Sequence, residues 1–126
     1  MRWTMRVLLV LSAALAVMQP TSIGQYLDGR YAMLGMHSTC GTALMGTTFL
    51  LGLAAIVYAL VGGRVWVLAA SVVLFFAVTV QLGLGYSKSL AVHIPLGVAI
   101  VAGTVALAIW SWTPAARRFR PRRADR

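Results

Sequence analysis

The chain has 126 residues, 60% of them hydrophobic and only 10% charged, with a formal net charge of +9 and a mean hydropathy of +0.86. That composition excludes a water-soluble domain. Asp28 and Asp125 are the only carboxylates, which excludes paired acid/base catalysis and any metal centre built from carboxylates. Phosphate-binding glycine loops and nucleophile elbows are absent as well. Any catalysis would therefore be carried by a cofactor.

Four apolar stretches follow one another along the chain, at roughly 3–20, 31–61, 65–84 and 89–112. Each is near or above the ~20 residues that a helix needs to cross a ~30 Å hydrocarbon layer. Strict two-residue alternation is absent, and a backbone in hydrocarbon must satisfy its own amides, so the stretches are expected to be helices rather than barrel strands. Polar connections are expected at residues 25–30, at the Gly62-Gly63-Arg64 turn, and at 83–88. The expected fold is all-α: an up-down-up-down transmembrane four-helix bundle over residues 1–114, followed by a disordered basic cytoplasmic tail at 115–126.

The first stretch has a second reading. Arg2 and Arg6 before an apolar run, with Ala14-Leu15-Ala16 after it, have the form of a secretory signal with a small-residue cleavage site. The internal duplication described below favours keeping it as a helix of the bundle.

Charge sets the expected orientation. Arg2, Arg6, Arg64 and the six arginines from Arg117 to Arg126 fall on one side of a four-span arrangement, and only Arg30 and Lys88 fall on the other, beside Asp28. The positive-inside rule puts both termini in the cytoplasm of a bacterial plasma membrane. Trp3, Trp66, Trp110 and Trp112 then belong to the inner interface, and Tyr26, Tyr31 and Tyr86 to the outer one. Beside a membrane, the basic tail is expected to meet anionic lipid rather than nucleic acid.

His37 and His93 are the only histidines, and each opens the pattern H-x-x-x-G-x-A: His37 with Gly41 and Ala43, His93 with Gly97 and Ala99. The same 56-residue offset pairs Gln25 with Gln81, Gly29 with Gly85, Leu34 with Leu90 and Thr48 with Thr104. The chain reads as a duplicated two-helix unit with one histidine per copy. His37 lies seven residues after Arg30 and His93 five after Lys88, which is roughly 10 and 8 Å of helix. In an up-down-up-down bundle the second and fourth helices stand on a diagonal, so both imidazoles are expected to face each other at a similar depth in the outer half.

Gly41 and Gly97 lie one turn further along the same faces and are expected to leave a slot beneath each imidazole. A flat group fits that description best: one b-type haem between His37 and His93, with Arg30 and Lys88 meeting its propionates. Covalent c-type attachment is excluded, because C-x-x-C-H does not occur. The competing reading of the glycines is close helix packing, and of the histidines, hydrogen bonds to neighbouring helices. Met33, Met36, His37 and Cys40 form a further candidate set with soft donors suited to Cu(I); the second copy carries Ser89, Val92 and Leu96 at the sulfur positions. Cys40 is the only cysteine, so no internal disulfide forms. Pro95 either delays the start of the fourth helix or kinks it beside His93. Gln25 and Gln81 read as interfacial residues or as the border of a quinone or propionate pocket.

On these residues, one histidine at the outer end of the second helix and one at that of the fourth, the chain resembles one half of haem A synthase. It also resembles small haem-binding four-helix membrane cytochromes and four-span membrane proteins of bacteria. The resemblance covers most of the spanning region and implies that His37 and His93 are axial haem ligands. Haem A synthase carries a glutamate one helical turn before its second-helix histidine, where Met33 stands here, so haem hydroxylation is not implied. The expected function is one-electron transfer, as a haem-dependent oxidoreductase, between a membrane donor such as quinol and a redox protein. The alternative is a cofactor-free accessory subunit of a larger membrane complex. The oligomeric state has no signature in the sequence.

Overall fold

The computed structural model describes residues 3–117, so the arginines of the tail from Arg118 onward lie outside the described residues. Four helices fill almost all of it: α1 (Trp3–Leu27), α2 (Met33–Leu60), α3 (Val65–Tyr86) and α4 (Leu90–Ser111), followed by a 3₁₀ turn, Pro114–Arg117. All four are long and apolar enough to cross a membrane. The chain is an all-α four-helix membrane bundle.

Helix α1 runs seven residues past the expected end at Pro20. Proline removes one backbone donor, but in a membrane helix the freed carbonyl finds other partners and the helix continues. The first connection therefore shortens to Asp28–Ala32, turned by Gly29 at φ +91°. At the opposite end, Gly62 also has φ +91°, and the Gly63 amide donates to the Tyr58 carbonyl (2.8 Å). A Cβ on Gly63 would collide with that carbonyl and with the Tyr58 ring, so this turn requires glycine. Pro95 lies inside α4, past its first turn, so it does not delay the helix start.

Each helix packs on its chain neighbours, and α4 closes the ring on α1. Helices α1 and α3 stand on one diagonal and α2 and α4 on the other. The core is formed by Leu9, Leu44, Leu51, Ala55, Val67, Val78 and Ile100, among others. Buried hydroxyls turn back onto their own helices: Thr48 Oγ1 donates to the Leu44 carbonyl (2.9 Å) and Thr104 Oγ1 to the Ile100 carbonyl (2.8 Å). Ser12 and Thr47 join α1 to α2 by a 3.1 Å hydroxyl pair. Large apolar side chains such as Val73, Phe76 and Val98 are exposed, as expected where the surrounding solvent is lipid.

Burial exposes the duplication and corrects its register. In α2 and α4 the offset is 56, as expected: Leu44 and Ile100, Thr48 and Thr104, and Ala55 and Ser111 are buried pairs. In α1 and α3 it is 62. Val67, Ser71, Leu74 and Val78, the buried residues of α3, match Met5, Leu9, Ser12 and Ala16 of α1. The first hairpin thus holds six more residues than the second, and the partner of Gln81 is Gln19, not Gln25.

The two bundle ends differ in chemistry. At one, Trp3 meets Trp112 with ring centres 5.6 Å apart, Trp66 meets Trp110 at 4.5 Å, and Arg6 lies between Trp3 and Trp112. Its Nε donates to the Ser111 carbonyl at the end of α4 (3.2 Å). At the other end, Tyr26 and Tyr31 stack edge to face.

Candidate functional site

His37 in the second turn of α2 and His93 in the first turn of α4 meet across the bundle diagonal, with ring centres 6.3 Å apart and planes inclined by 55°. Both are half-buried. Each imidazole is tied to the preceding helix of its own hairpin through Nδ1. His37 Nδ1 lies 3.1 Å from the Gln19 carbonyl, and His93 Nδ1 lies 3.0 Å from the Gln81 carbonyl. A carbonyl has no hydrogen to give, so a neutral imidazole in either place is protonated on Nδ1 and presents an unprotonated Nε2.

The two surroundings are alike in plan and unequal in detail. His37 Nδ1 has a second acceptor, Ser22 Oγ at 3.3 Å, which in turn donates to the Met18 carbonyl at 2.7 Å. Among the described residues, no hydroxyl bonds His93 in this way. Instead its ring packs against Gly85, where a Cβ would lie 3.0 Å from Cε1 and 3.4 Å from Nδ1. Glycine at 85 is therefore what admits the ring between α3 and α4.

Gly41 and Gly97 do face the core beneath the histidines, but their bare faces are covered by glutamine side chains. A Cβ on Gly97 would stand 2.7 Å from Gln81 Nε2; one on Gly41 would stand 3.7 Å from the Gln19 amide and 3.8 Å from Leu82 Cδ1. The H-x-x-x-G spacing thus opens the helix backbone to an incoming amide. Gln81, which reads from sequence as interfacial or as the border of a quinone or propionate pocket, is part of the site, and so is Gln19, which the 56-residue offset does not pair with it. The signal for Gln19 was an amide of the third apolar segment recurring in the first, hidden by the six-residue difference in hairpin length.

Arg30 and Lys88 occupy the loops at the histidine end. Arg30 donates to Gln25 Oε1 (2.9 Å), so Gln25 serves the loop and not the histidine pair. Lys88 takes a left-handed backbone, φ 58°. Beside the site, Ser38 Oγ and Tyr86 Oη are 3.4 Å apart. Of the soft-donor set on α2, Cys40 is buried whereas Met36 is about half exposed, so Met36 stands at the lipid-facing edge. Among the described residues no group of three or more His, Cys, Asp or Glu side chains gathers closely enough to hold a metal ion.

No protein-family model, curated protein or solved structure matches this chain.

Proposed function

We propose that the chain binds one b-type haem between His37 and His93 and serves as a one-electron carrier in the membrane. The observation that carries this reading is the pair of imidazoles at 6.3 Å, each with Nδ1 engaged by a backbone carbonyl. At that separation two imidazoles could both reach one metal ion through bonds of about 2.0 Å. Ligating histidines also characteristically donate their second nitrogen to a carbonyl, which fixes tautomer and ring orientation.

The donor count favours haem over a bare ion. Two imidazoles leave the coordination of Zn²⁺ incomplete, and among the described residues no third His, Cys, Asp or Glu is at hand. Haem iron brings four nitrogens of its own and asks the protein for two. When bound, that group supplies the one-electron couple. His37 and His93 would hold it through their Nε2 atoms. The apolar helices would surround it, and Arg30 and Lys88, in the loops at that end, would offer cations for its carboxylates. Quinol as donor and a redox protein as acceptor are the partner classes that suit this position.

A reduced-minus-oxidised visible spectrum of the purified protein tests the reading, with a low-spin six-coordinate haem expected. His37→Ala and His93→Ala should each abolish that spectrum. A colourless wild type, or histidine variants with an unchanged haem spectrum, would overturn it; the colourless case would leave the accessory-subunit reading in its place. The orientation belongs to the same proposal: both termini in the cytoplasm, with the histidines toward the outer face of a bacterial plasma membrane. A reporter fused after Arg126 should be active only in the cytoplasm, and periplasmic activity would refute this.

A further inference from the structure

Each histidine is held by one glutamine at two points. The Gln81 backbone carbonyl accepts from His93 Nδ1 (3.0 Å), while the Gln81 side chain returns to α4 and its Nε2 donates to the His93 carbonyl (2.8 Å). The first hairpin repeats the arrangement. The Gln19 carbonyl accepts from His37 Nδ1 (3.1 Å). With the Gln19 amide oriented to satisfy its neighbours, its nitrogen lies 3.3 Å from the His37 carbonyl and its oxygen accepts from the Gly41 amide (3.0 Å). Both glutamines therefore hold a histidine at its ring and at its main-chain carbonyl, and in both cases the amide passes over a glycine; Gln19 also accepts from the Gly41 amide, whereas Gln81 Oε1 is buried without a partner.

From this repeated geometry we infer that Gln19 and Gln81 are the positioning residues of the histidine pair, which set both imidazoles as the Nδ1–H tautomer with a bare Nε2 before any metal arrives. The inference rests on the proposed function only in giving those nitrogens something to bind. The backbone carbonyl chooses the tautomer, because an unprotonated Nδ1 would turn a lone pair on a carbonyl oxygen about 3 Å away. The side-chain amide keeps that carbonyl opposite the ring by locking the register of the two helices. At His37 the Gln19 amide nitrogen also stands 3.2 Å from Nδ1 and is a competing donor. The carbonyl prevails there because Ser22 Oγ, whose own hydrogen goes to Met18 or Gln19, is a second acceptor for the same Nδ1–H.

The test uses the metal-free full-length protein in detergent micelles or nanodiscs, labelled with ¹⁵N-histidine, and reads the tautomer from long-range ¹H–¹⁵N correlation spectra. Both histidines of the wild type should be protonated on Nδ1 and unprotonated on Nε2. Gln81→Leu should turn His93 into a mixture in which the Nε2–H form rises from a minor to a comparable population, with His37 unchanged. Gly97→Ala provides an independent perturbation, since its Cβ displaces the same amide without removing it, and should reproduce the Gln81→Leu spectrum. An Nε2–H tautomer in the wild type, or a His93 spectrum indifferent to both Gln81→Leu and Gly97→Ala, would overturn the inference. Haem loading measured in parallel separates the two ideas. A wild type that takes up no haem yet shows the Nδ1–H pair refutes the haem reading and supports this one.

Discussion

The two hairpins reach the same local geometry by different routes. In α1–α2 the glutamine precedes its histidine by 18 residues (37 − 19), in α3–α4 by 12 (93 − 81), yet both place a carbonyl about 3 Å from Nδ1 and an amide over the glycine below. The six additional residues lengthen α1 and the connection after it and leave the core unchanged. What the duplicated unit preserves is therefore a contact between helices and not a spacing along the chain. The first hairpin adds Ser22 to its histidine; the second gives up side-chain volume at Gly85 to seat the ring. The first histidine is held by more hydrogen bonds, and the second by tighter packing.

The largest break in this comparison should come from the glycines. Gly97→Ala puts a Cβ 2.7 Å from Gln81 Nε2, so the amide must swing aside and give up its bond to the His93 carbonyl, at an expected cost of about 1 kcal/mol. Gly41→Ala meets its nearest neighbour at 3.7 Å, ordinary contact, and should change stability by less than about 0.5 kcal/mol. Thermal or denaturant unfolding in micelles would compare the two. Equal costs would show that the hairpins are packed alike after all. In the Gln81→Ala background, the penalty of Gly97→Ala should largely vanish.

Ser22→Ala should have a smaller effect and act on one side only. It removes one of two acceptors of His37 Nδ1, a loss of about 0.6 kcal/mol for a hydrogen bond within a membrane bundle. His93 should keep its nuclear magnetic resonance shifts. A shift of His93 as large as that of His37 would mean that the pair responds as one unit.

The smallest effect distinguishes the two connections. The first turns on Gly29 at φ +91°, the second on Lys88 at φ 58°. A side chain pays a steric cost in the left-handed region, offset in glycine by greater freedom of the unfolded chain. Lys88→Gly should therefore raise stability by less than about 0.5 kcal/mol. A destabilising Lys88→Gly would indicate that the lysine side chain contributes more than its backbone costs.

Much of this was legible in one dimension. Segment length and hydropathy were enough for four spanning helices, because the hydrocarbon layer imposes a length and forbids unpaired backbone. Two histidines at the same end of alternate helices were enough to pair them, because an up-down-up-down bundle has only one pair of diagonals. Apolarity alone ends the first stretch near Pro20, whereas the helix continues to Leu27, because the less apolar residues that follow still keep their backbone hydrogen bonds within the helix. A fixed offset chose Gln25 over Gln19, because a loop can absorb six residues without moving the helices it joins.

The residues by themselves thus determined the solvent, the number of spans, the all-α class and the histidine pair, all of which depend on local hydropathy and on order along the chain. Only the tertiary structure decided which glutamine holds which histidine, which ring nitrogen is engaged, and why glycine follows each histidine by four residues. Those features depend on the rotation and register of one helix against another. Side-chain packing across the interface sets both, and no periodicity within a single helix records them.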